Sequence, residues 1–158
     1  VMTEDSVQLN FHVENLGQDS FPFGIGWHPY FESNNLKSSS LTFYSNKLLI
    51  CDENQIPKTK QDYILKPTFD LDDKFFDDCF ILSNKMVRFK TEKYSLEMKL
   101  GETADAFLQL FTPSEKNSIA IEPMTCSPNV FNSEDGLKVL QPGETFHWQV
   151  DLNFKKNG

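Results

Sequence analysis

The chain has 158 residues, a net charge of −8, 39% apolar residues and 24% charged residues, a composition typical of one folded globular domain rather than a disordered segment. The negative charge argues against nucleic acid or an anionic membrane as a partner, and no apolar run approaches the length of a membrane span. The 15 phenylalanines favour β-structure.

The first predicted strand covers residues 7–14, where apolar and polar side chains alternate without a break and His12 falls on the solvent face. A turn follows at residues 15–17, and then comes the aromatic segment 23–31. Two glycines in this segment permit close approach of the backbone, and Pro29 keeps the preceding residue extended.

His28 stands inside this segment, and we expect a stiff loop that fixes the direction of its imidazole. Aromatic faces suit the apolar side of a sugar ring, and an imidazole changes charge near neutral pH, as acid–base work requires. The segment by itself slightly favours the alternative, a histidine packed among aromatic rings for structural reasons.

The middle of the chain predicts short strands at residues 41–44 and 47–51, an irregular polar stretch at 32–40 and a loop at 52–60. Five aspartates follow, at positions 70, 72, 73, 77 and 78. A helix-loop-helix calcium site is excluded, because Phe75 and Ile81 stand where such a loop needs glycine and glutamate. We therefore expect a solvated acidic turn.

The C-terminal part predicts further strands at 87–90, 94–100, 106–112, 118–122, 137–140 and 146–154. A type II turn is expected with Pro142 and Gly143 at its centre. No window has sustained helical periodicity, so the prediction is one all-β domain over residues 1–158, an antiparallel β-sandwich with its long loops gathered at one rim. Three widely spaced cysteines, Cys51, Cys79 and Cys126, predict free thiols and a reducing, cytoplasmic compartment.

Glu122 is predicted at the end of a strand that Pro123 stops. Ile119 and Ile121 face one way there, and Ala120 and Glu122 the other. An exposed rim carboxylate is the ordinary interpretation. The presence of His28 and of the aspartates at 77 and 78 elsewhere in the chain favours a functional role for Glu122.

Three segments together resemble the aldose 1-epimerase (galactose mutarotase) family. Residues 26–31, Gly-Trp-His-Pro-Tyr-Phe, are similar to its histidine motif, and residues 76–80 to its aspartate segment. Residues 121–125, followed by Pro128-Asn129 and by residues 140–144, are similar to its C-terminal glutamate segment. The segments occur in the family's order, and the likeness runs from about residue 7 to residue 154.

The resemblance implies a galactose mutarotase-like β-supersandwich that binds a free aldose such as glucose or galactose, without a metal or an organic cofactor. It implies Glu122 as the general base, His28 as the general acid, and Asp77 as a hydrogen-bonding partner of the sugar hydroxyls. Trp27 and Tyr30 are expected to contact the sugar ring. Adjacent side chains on an extended backbone point to opposite sides, so Asp77 and Asp78 are not expected to enter one groove together.

Two features depart from the family pattern. Asp78 stands where the family commonly has histidine. Family members are also roughly twice as long, and their first half supplies a further histidine and an arginine, whereas His12 and Arg88 lie in no matching motif. We therefore expect the C-terminal half of such a protein, which would self-associate or bind a separate first half and would have little activity alone.

Other functions remain open at this stage. A sugar-binding β-module without catalysis needs only the aromatics and carboxylates. An epimerase of sugar phosphates would require cationic ligands, and Arg88 is the only arginine. A cysteine hydrolase using Cys126 and His28 is disfavoured, because no helix N-terminus precedes Cys126 to depress its pKa.

Overall fold

The computed structural model of the chain describes residues 1–63, 66–72, 74–103 and 106–157. Its described strands are β1 Ser6–Glu14, β2 Phe21–Phe23, β3 Tyr30–Glu32, β4 Ser40–Thr42, β5 Ser45–Cys51, β6 Pro57–Asp62, β7 Thr68–Asp70, β8 Asp77–Leu82, β9 Met86–Lys90, β10 Tyr94–Leu100, β11 Phe107–Phe111, β12 Ser118–Met124, β13 Lys138–Leu140 and β14 Thr145–Lys156. In the described part of the chain, helical structure consists of a 3-10 turn at Leu36–Ser38 and the short helix α1 at Val130–Ser133. Within the described ranges, neither helix has the length and apolarity needed to cross a bilayer.

Two six-stranded antiparallel sheets form the body of the molecule, which confirms the predicted all-β sandwich. The first sheet has the order β1-β14-β10-β9-β4-β7, and the second has the order β3-β12-β11-β8-β5-β6. A small third sheet pairs β13 with β2. The strands consecutive in sequence are often in different sheets, as with β4 and β5, so the fold depends on long-range pairing.

The main core lies between the two large sheets and explains the alternation in the strands. β14 contributes Trp148, Val150 and Leu152 from one side, and β12 contributes Ile119 and Ile121 from the other. All five side chains are at most 3% exposed. The clear period of two in β14 therefore reflects one face against the core and one against solvent.

The second sheet also has an apolar cluster on its outer face, the face turned away from the main core. Leu49, Cys79, Ile81 and Phe107 are buried there, with Met124 packed beside them. The segment 125–137 contacts this cluster where Gly136 approaches Phe107. Both faces of the second sheet are thus partly buried. A polar side chain on its outer face therefore lies beside apolar neighbours.

Two sequence predictions about local structure are wrong. The region 52–60 is not all loop, because β6 begins at Pro57 and pairs with β5 as the edge of the second sheet. Proline is tolerated as the first residue of an edge strand. Strand β12 does not stop at Pro123 but continues to Met124.

Pro123 fits inside β12 because its nitrogen, which carries no hydrogen to donate, lies on the side away from β11. The carbonyl oxygen of Pro123 accepts a hydrogen bond from the Trp27 N–H at 3.2 Å. Since the nitrogen and the carbonyl of one strand residue point to the same side, the missing donor faces the 23–29 segment and leaves the β11 ladder intact.

Other local predictions are confirmed. Gly143 has a φ of 78° and the Glu144 N–H donates to the Gln141 carbonyl at 3.0 Å, as a type II turn requires. His12 lies on the exposed face of β1, and all three cysteines are free thiols. The predicted acidic turn holds only in part, because Asp70 ends β7 and Asp77 and Asp78 begin β8, while Asp73 lies outside the described residues.

Candidate active site

Strand register brings three polar side chains together on the outer face of the second sheet. Gln109 of β11 lies directly opposite Glu122 of β12 on one side and opposite Cys79 of β8 on the other. Asp77 lies two residues before Cys79 on the same strand and therefore on the same face. Cross-strand neighbours on one face are within contact distance, so the sheet itself builds a row of carboxylate, amide and carboxylate.

The segment 23–29 is fastened along β12 by backbone hydrogen bonds and carries His28 to this row. Gly26 forms an isolated antiparallel β-bridge with Met124, and the Ile121 N–H donates to the Pro29 carbonyl at 3.3 Å. Gly24 passes so close to the neighbouring segment that a Cβ there would lie 2.2 Å from the Cys126 sulfur. The predicted need for glycine at a close backbone approach is confirmed at this position.

His28 and Glu122 meet across this junction. The His28 Nε2 lies 3.2 Å from the Glu122 Oε1. The imidazole stacks on the Tyr30 ring with a centroid separation of 5.0 Å and an interplanar angle of 29°. The His28 side chain is 53% exposed and the Glu122 side chain is 11% exposed. A recessed carboxylate is thus paired with an imidazole that is open to solvent.

Burial raises the pKa of Glu122 above its ordinary value. The neighbouring imidazole of His28 opposes the shift, and the negative charge of Asp77 adds to it. Desolvation is the largest cause, because the recessed carboxylate has little contact with water. A carboxylate with a raised pKa holds a proton more tightly and is a stronger base than an exposed one.

Asp77 is held by two amide side chains, one on each oxygen. The Gln109 Nε2 donates to Oδ1 at 3.1 Å, and the Gln55 Nε2 donates to Oδ2 at 3.0 Å. Gln55 lies in the turn between β5 and β6 with a left-handed φ of 60°. The two amides fix the plane of the carboxylate and leave its remaining lone pairs available to hydroxyl donors.

Asp78 faces the opposite side of the sheet from Asp77. It pairs with the buried Leu110 on the core face at the start of β8, and desolvation raises its pKa. The sequence prediction that only one of the two aspartates enters the groove is thus matched by the register. The contact of Asp77 with a sugar remains a prediction.

Trp27 is not brought to the group around Glu122. Its side chain packs against the main core cluster, on the other side of the backbone from His28. Tyr30, by contrast, pairs with Ala120 on the outer face, is 52% exposed and supports the His28 ring. A supporting role under the His28 backbone suits Trp27 better than the predicted contact with a sugar, which no observation tests.

Sequence reasoning missed Gln55 and Gln109. Gln109 did carry a signal, because it is the single polar residue in the strand Phe-Leu-Gln-Leu-Phe. A polar side chain in an otherwise apolar central strand needs a partner, and here that partner is Asp77. Gln55 carried no comparable signal, since its reach to Asp77 depends on the hairpin between β5 and β6.

The described residues do not include a cluster of three or more histidine, cysteine or acidic side chains arranged to hold a metal ion. The thiols also lack the character of a nucleophile. Burial raises the pKa of Cys79 and Cys126, which disfavours the reactive thiolate. What the site does contain is a carboxylate and an imidazole in contact, two groups that are able to exchange protons with a bound molecule.

Fold and site together define a galactose mutarotase-like β-sandwich with a carboxylate–imidazole pair on the outer face of one sheet. The chain belongs to the aldose 1-epimerase family, whose sequence pattern it matches over residues 1–153. It is 28% identical over 146 residues to the protein YihR of Escherichia coli K12, a match that covers 83% of this chain and 46% of YihR.

Solved structures share the fold. A putative aldose 1-epimerase from Escherichia coli K12 superposes with a TM-score of 0.81 and 20% identity, covering 99% of this chain and 58% of the other. A galactose mutarotase-like protein from Clostridium acetobutylicum superposes with a TM-score of 0.82 and 16% identity, covering 95% of this chain and 52% of the other. The chain thus spans about half the length of the relatives it matches.

Proposed function

We propose that the polypeptide carrying these residues is an aldose 1-epimerase, which interconverts the α and β anomers of a free aldohexose. The observation that carries the proposal is the 3.2 Å contact between the His28 Nε2 and the Glu122 Oε1 on an exposed sheet face. The anomeric hydroxyl and the ring oxygen of an aldose are bonded to the same carbon. A base and an acid that serve both oxygens must therefore lie side by side, as these two groups do.

In the proposed reaction, Glu122 takes the proton of the anomeric hydroxyl while His28 gives a proton to the ring oxygen. The bond from the anomeric carbon to the ring oxygen breaks, and the open-chain aldehyde forms. Rotation of the aldehyde about its bond to carbon 2 presents its other face. Closure by the reverse proton transfers returns both groups to their starting states, so each turnover is balanced without a cofactor.

The other residues of the site have positioning roles in this proposal. Asp77 accepts hydrogen bonds from sugar hydroxyls and orients the ring, and Tyr30 offers an aromatic face beside His28. A positioned acid or base each contributes about 10²–10⁴-fold, which suffices for the modest barrier of ring opening. Activity is proposed for the protein at the length of its relatives, of which this chain spans about half.

Two alternatives make different demands on the site. A non-catalytic sugar-binding module would need the aromatic and carboxylate groups but not the contact between an acid and a base. An epimerase of sugar phosphates would need a cation beside the site, yet Arg88 pairs with Glu97 on the first sheet at 2.8 Å. Lys60, which shares the outer face of the second sheet, is paired with Asp135 at 2.7 Å. These pairs favour a neutral aldose.

Polarimetry separates the alternatives. Mutarotation of α-D-glucose and α-D-galactose is followed with the 158-residue chain, alone and with a polypeptide that supplies the first half of a family relative. Acceleration in either arm supports the epimerase. Sugar binding by calorimetry without acceleration in both arms identifies a binding module instead. Binding of glucose 6-phosphate in preference to glucose contradicts the choice of a neutral substrate.

The two adjacent aspartates give an internal comparison for the binding role. Asp77→Asn is expected to weaken sugar binding about tenfold, because the side chain loses its charge and one acceptor oxygen, and its NH2 group then faces the amide donor of either Gln55 or Gln109. Asp78→Asn on the opposite face is expected to change affinity less than about twofold. Calorimetric titration with sugar measures both affinities, and the reverse order of effects contradicts the assignment.

Gln55 is expected to tune affinity through Asp77. Gln55→Ala removes one of the two amides that orient the carboxylate and is expected to weaken sugar binding about threefold to tenfold, less than the full contribution of a hydrogen bond to a charged group because the Gln109 amide remains. Gln61→Ala, on the exposed strand of the same hairpin, is the matched control and should leave affinity unchanged. Equal affinity in the two variants would show that the Gln109 amide alone positions Asp77.

A further inference from the structure

A pair of histidines lies on the outer face of the first sheet, on the opposite side of the molecule from Glu122. His12 of the edge strand β1 and His147 of β14 are direct cross-strand partners. The His12 Nδ1 lies 3.2 Å from both ring nitrogens of His147, and the ring centroids are 4.4 Å apart. These are two of the three histidines in the chain, and no step of the proposed epimerase reaction uses them.

The spacing of the ring nitrogens matches that of two ligands on one metal ion. At metal–nitrogen distances of about 2.0–2.1 Å, two imidazoles on one ion have nitrogens about 2.9 Å apart at a right angle and about 3.3 Å apart at a tetrahedral angle. The observed 3.2 Å lies between these values. Because the His12 Nδ1 is equidistant from the two His147 nitrogens, it faces the ring carbon between them, and the His147 ring must rotate to aim one lone pair at a shared ion. Both side chains are exposed, which leaves this rotation free.

The surroundings supply the other elements of a metal site. The Glu14 Oε2 lies 3.9 Å from the His12 Nε2, the nitrogen that does not face His147. At this distance the carboxylate is an ion-pair partner and not a hydrogen-bond acceptor, and its negative charge favours a cation beside the pair. Next to the pair, His147 borders a cavity of about 360 Å³ that is also lined by Asn10, Gln149 and Asp151. This cavity leaves space for the water or small-molecule ligands that complete the coordination shell.

We propose that His12 and His147 form a two-histidine site for a divalent late transition-metal ion such as Ni²⁺, Cu²⁺ or Zn²⁺. Imidazole ligands suit these ions, whereas Mg²⁺ and Ca²⁺ prefer oxygen. The bound ion would join the edge strand β1 to β14 outside their backbone ladder. Its effect is therefore on the stability of the first sheet and is separate from sugar chemistry on the second.

Calorimetry with the Ni²⁺–nitrilotriacetate complex tests the proposal on protein prepared without a histidine tag. This complex leaves a pair of adjacent positions open, which a single imidazole fills poorly and two neighbouring imidazoles fill together. One equivalent is expected to bind per chain. His12→Gln and His147→Gln are each expected to weaken binding at least about tenfold. His28→Gln, on the second sheet, is the matched control and should keep wild-type affinity.

Thermal unfolding provides a readout that does not depend on the calorimetric signal. Saturating complex is expected to raise the Tm of the wild type and of His28→Gln by about 2–4 °C, and to leave His12→Gln and His147→Gln unchanged. The unfolding transition also shows that each variant is folded. Equal binding by all three variants, loss of binding only in His28→Gln, or no binding by the wild type would overturn the proposal.

Discussion

Glu122→Gln is expected to lower turnover of a free aldose by about 10²–10⁴-fold while sugar affinity changes little. The amide keeps the shape of the side chain and a hydrogen-bond acceptor toward the sugar, but it cannot take a proton at neutral pH. Polarimetry gives the rate, and calorimetry with the same sugar gives the affinity. The loss should thus appear in kcat, as for an interaction made in the transition state.

Glu97→Gln is the matched control for this variant. It makes the same chemical change on the outer face of the first sheet, where Glu97 pairs with Arg88. Its turnover should equal that of the wild type, since it lies on the other sheet from His28 and Glu122. Unchanged turnover in Glu122→Gln, or equal losses in both variants, would count against Glu122 as the base.

Glu122→Gln is also expected to change the stability of the fold. Whereas it lowers turnover, it should raise the Tm. Burial raises the folded-state pKa of Glu122, so the folded state holds this proton more tightly than the unfolded state does. The resulting stabilisation is complete below the unfolded pKa and is lost as pH rises through the folded pKa. Above the folded pKa the wild-type carboxyl is ionised at a desolvation cost that a neutral amide avoids, and Glu122→Gln should therefore have the higher Tm there.

The Tm advantage of Glu122→Gln should shrink as the pH falls toward the ordinary pKa of glutamate, where the wild-type carboxyl is also neutral. A Tm difference independent of pH would mean that packing rather than ionisation causes it. Gain of stability together with loss of turnover distinguishes a functional carboxylate from a structural one, whose removal would lower the Tm.

The sequence predicted the sandwich because its strongest signals are those of strands with one buried face. β14 and β1 alternate clearly, since one side of each packs on the core and the other meets solvent. β6 could not be predicted in this way. Its residues 58–62 are all exposed and polar, so neither face leaves a hydrophobic period, and pairing with β5 alone makes it a strand.

The site was predicted only as far as local motifs reach. The motif resemblance selected His28, Glu122 and Asp77, and the structure places the first two in contact and the third on the same face. Gln55 and Gln109 lie 22 and 32 positions from Asp77, and only strand register and a hairpin bring their amides to it. Trp27 shows the converse limit, because alternation of adjacent side chains sends it to the core beside an exposed His28.

Gly136→Ala is expected to lower the free energy of unfolding by about 2–5 kcal/mol, the largest effect on stability among the glycines with positive φ. Gly136 has a φ of 85°, and a Cβ there would lie 2.8 Å from the Thr125 carbonyl oxygen and 2.8 Å from the Cys126 Cα. Because both contacts are backbone atoms, no side-chain rotation relieves them, and the segment 125–137 must shift on the sheet.

Gly143→Ala isolates the part of this cost that comes from backbone conformation alone. Gly143 has a φ of 78° in the type II turn, but nothing lies within 4 Å of a Cβ built there. Its expected cost is about 1–2 kcal/mol, the strain of a left-handed alanine without a clash. Urea unfolding of both variants measures the difference. Equal losses would show that the segment 125–137 yields without resistance.

The effect of Gly136→Ala should also reach His28, because Thr125 links the shifted segment to the loop that carries the imidazole. The Thr125 N–H donates to the Ile25 carbonyl at 2.9 Å, and the Ile25 N–H donates to the Thr125 hydroxyl at 3.0 Å. Displacing Thr125 therefore displaces the 23–29 segment relative to Glu122 on β12. Gly136→Ala should lower kcat under conditions in which it remains folded, whereas Gly143→Ala should keep wild-type kcat. Full turnover in folded Gly136→Ala would show that the backbone bonds of residues 26–29 to β12 hold His28 without Thr125.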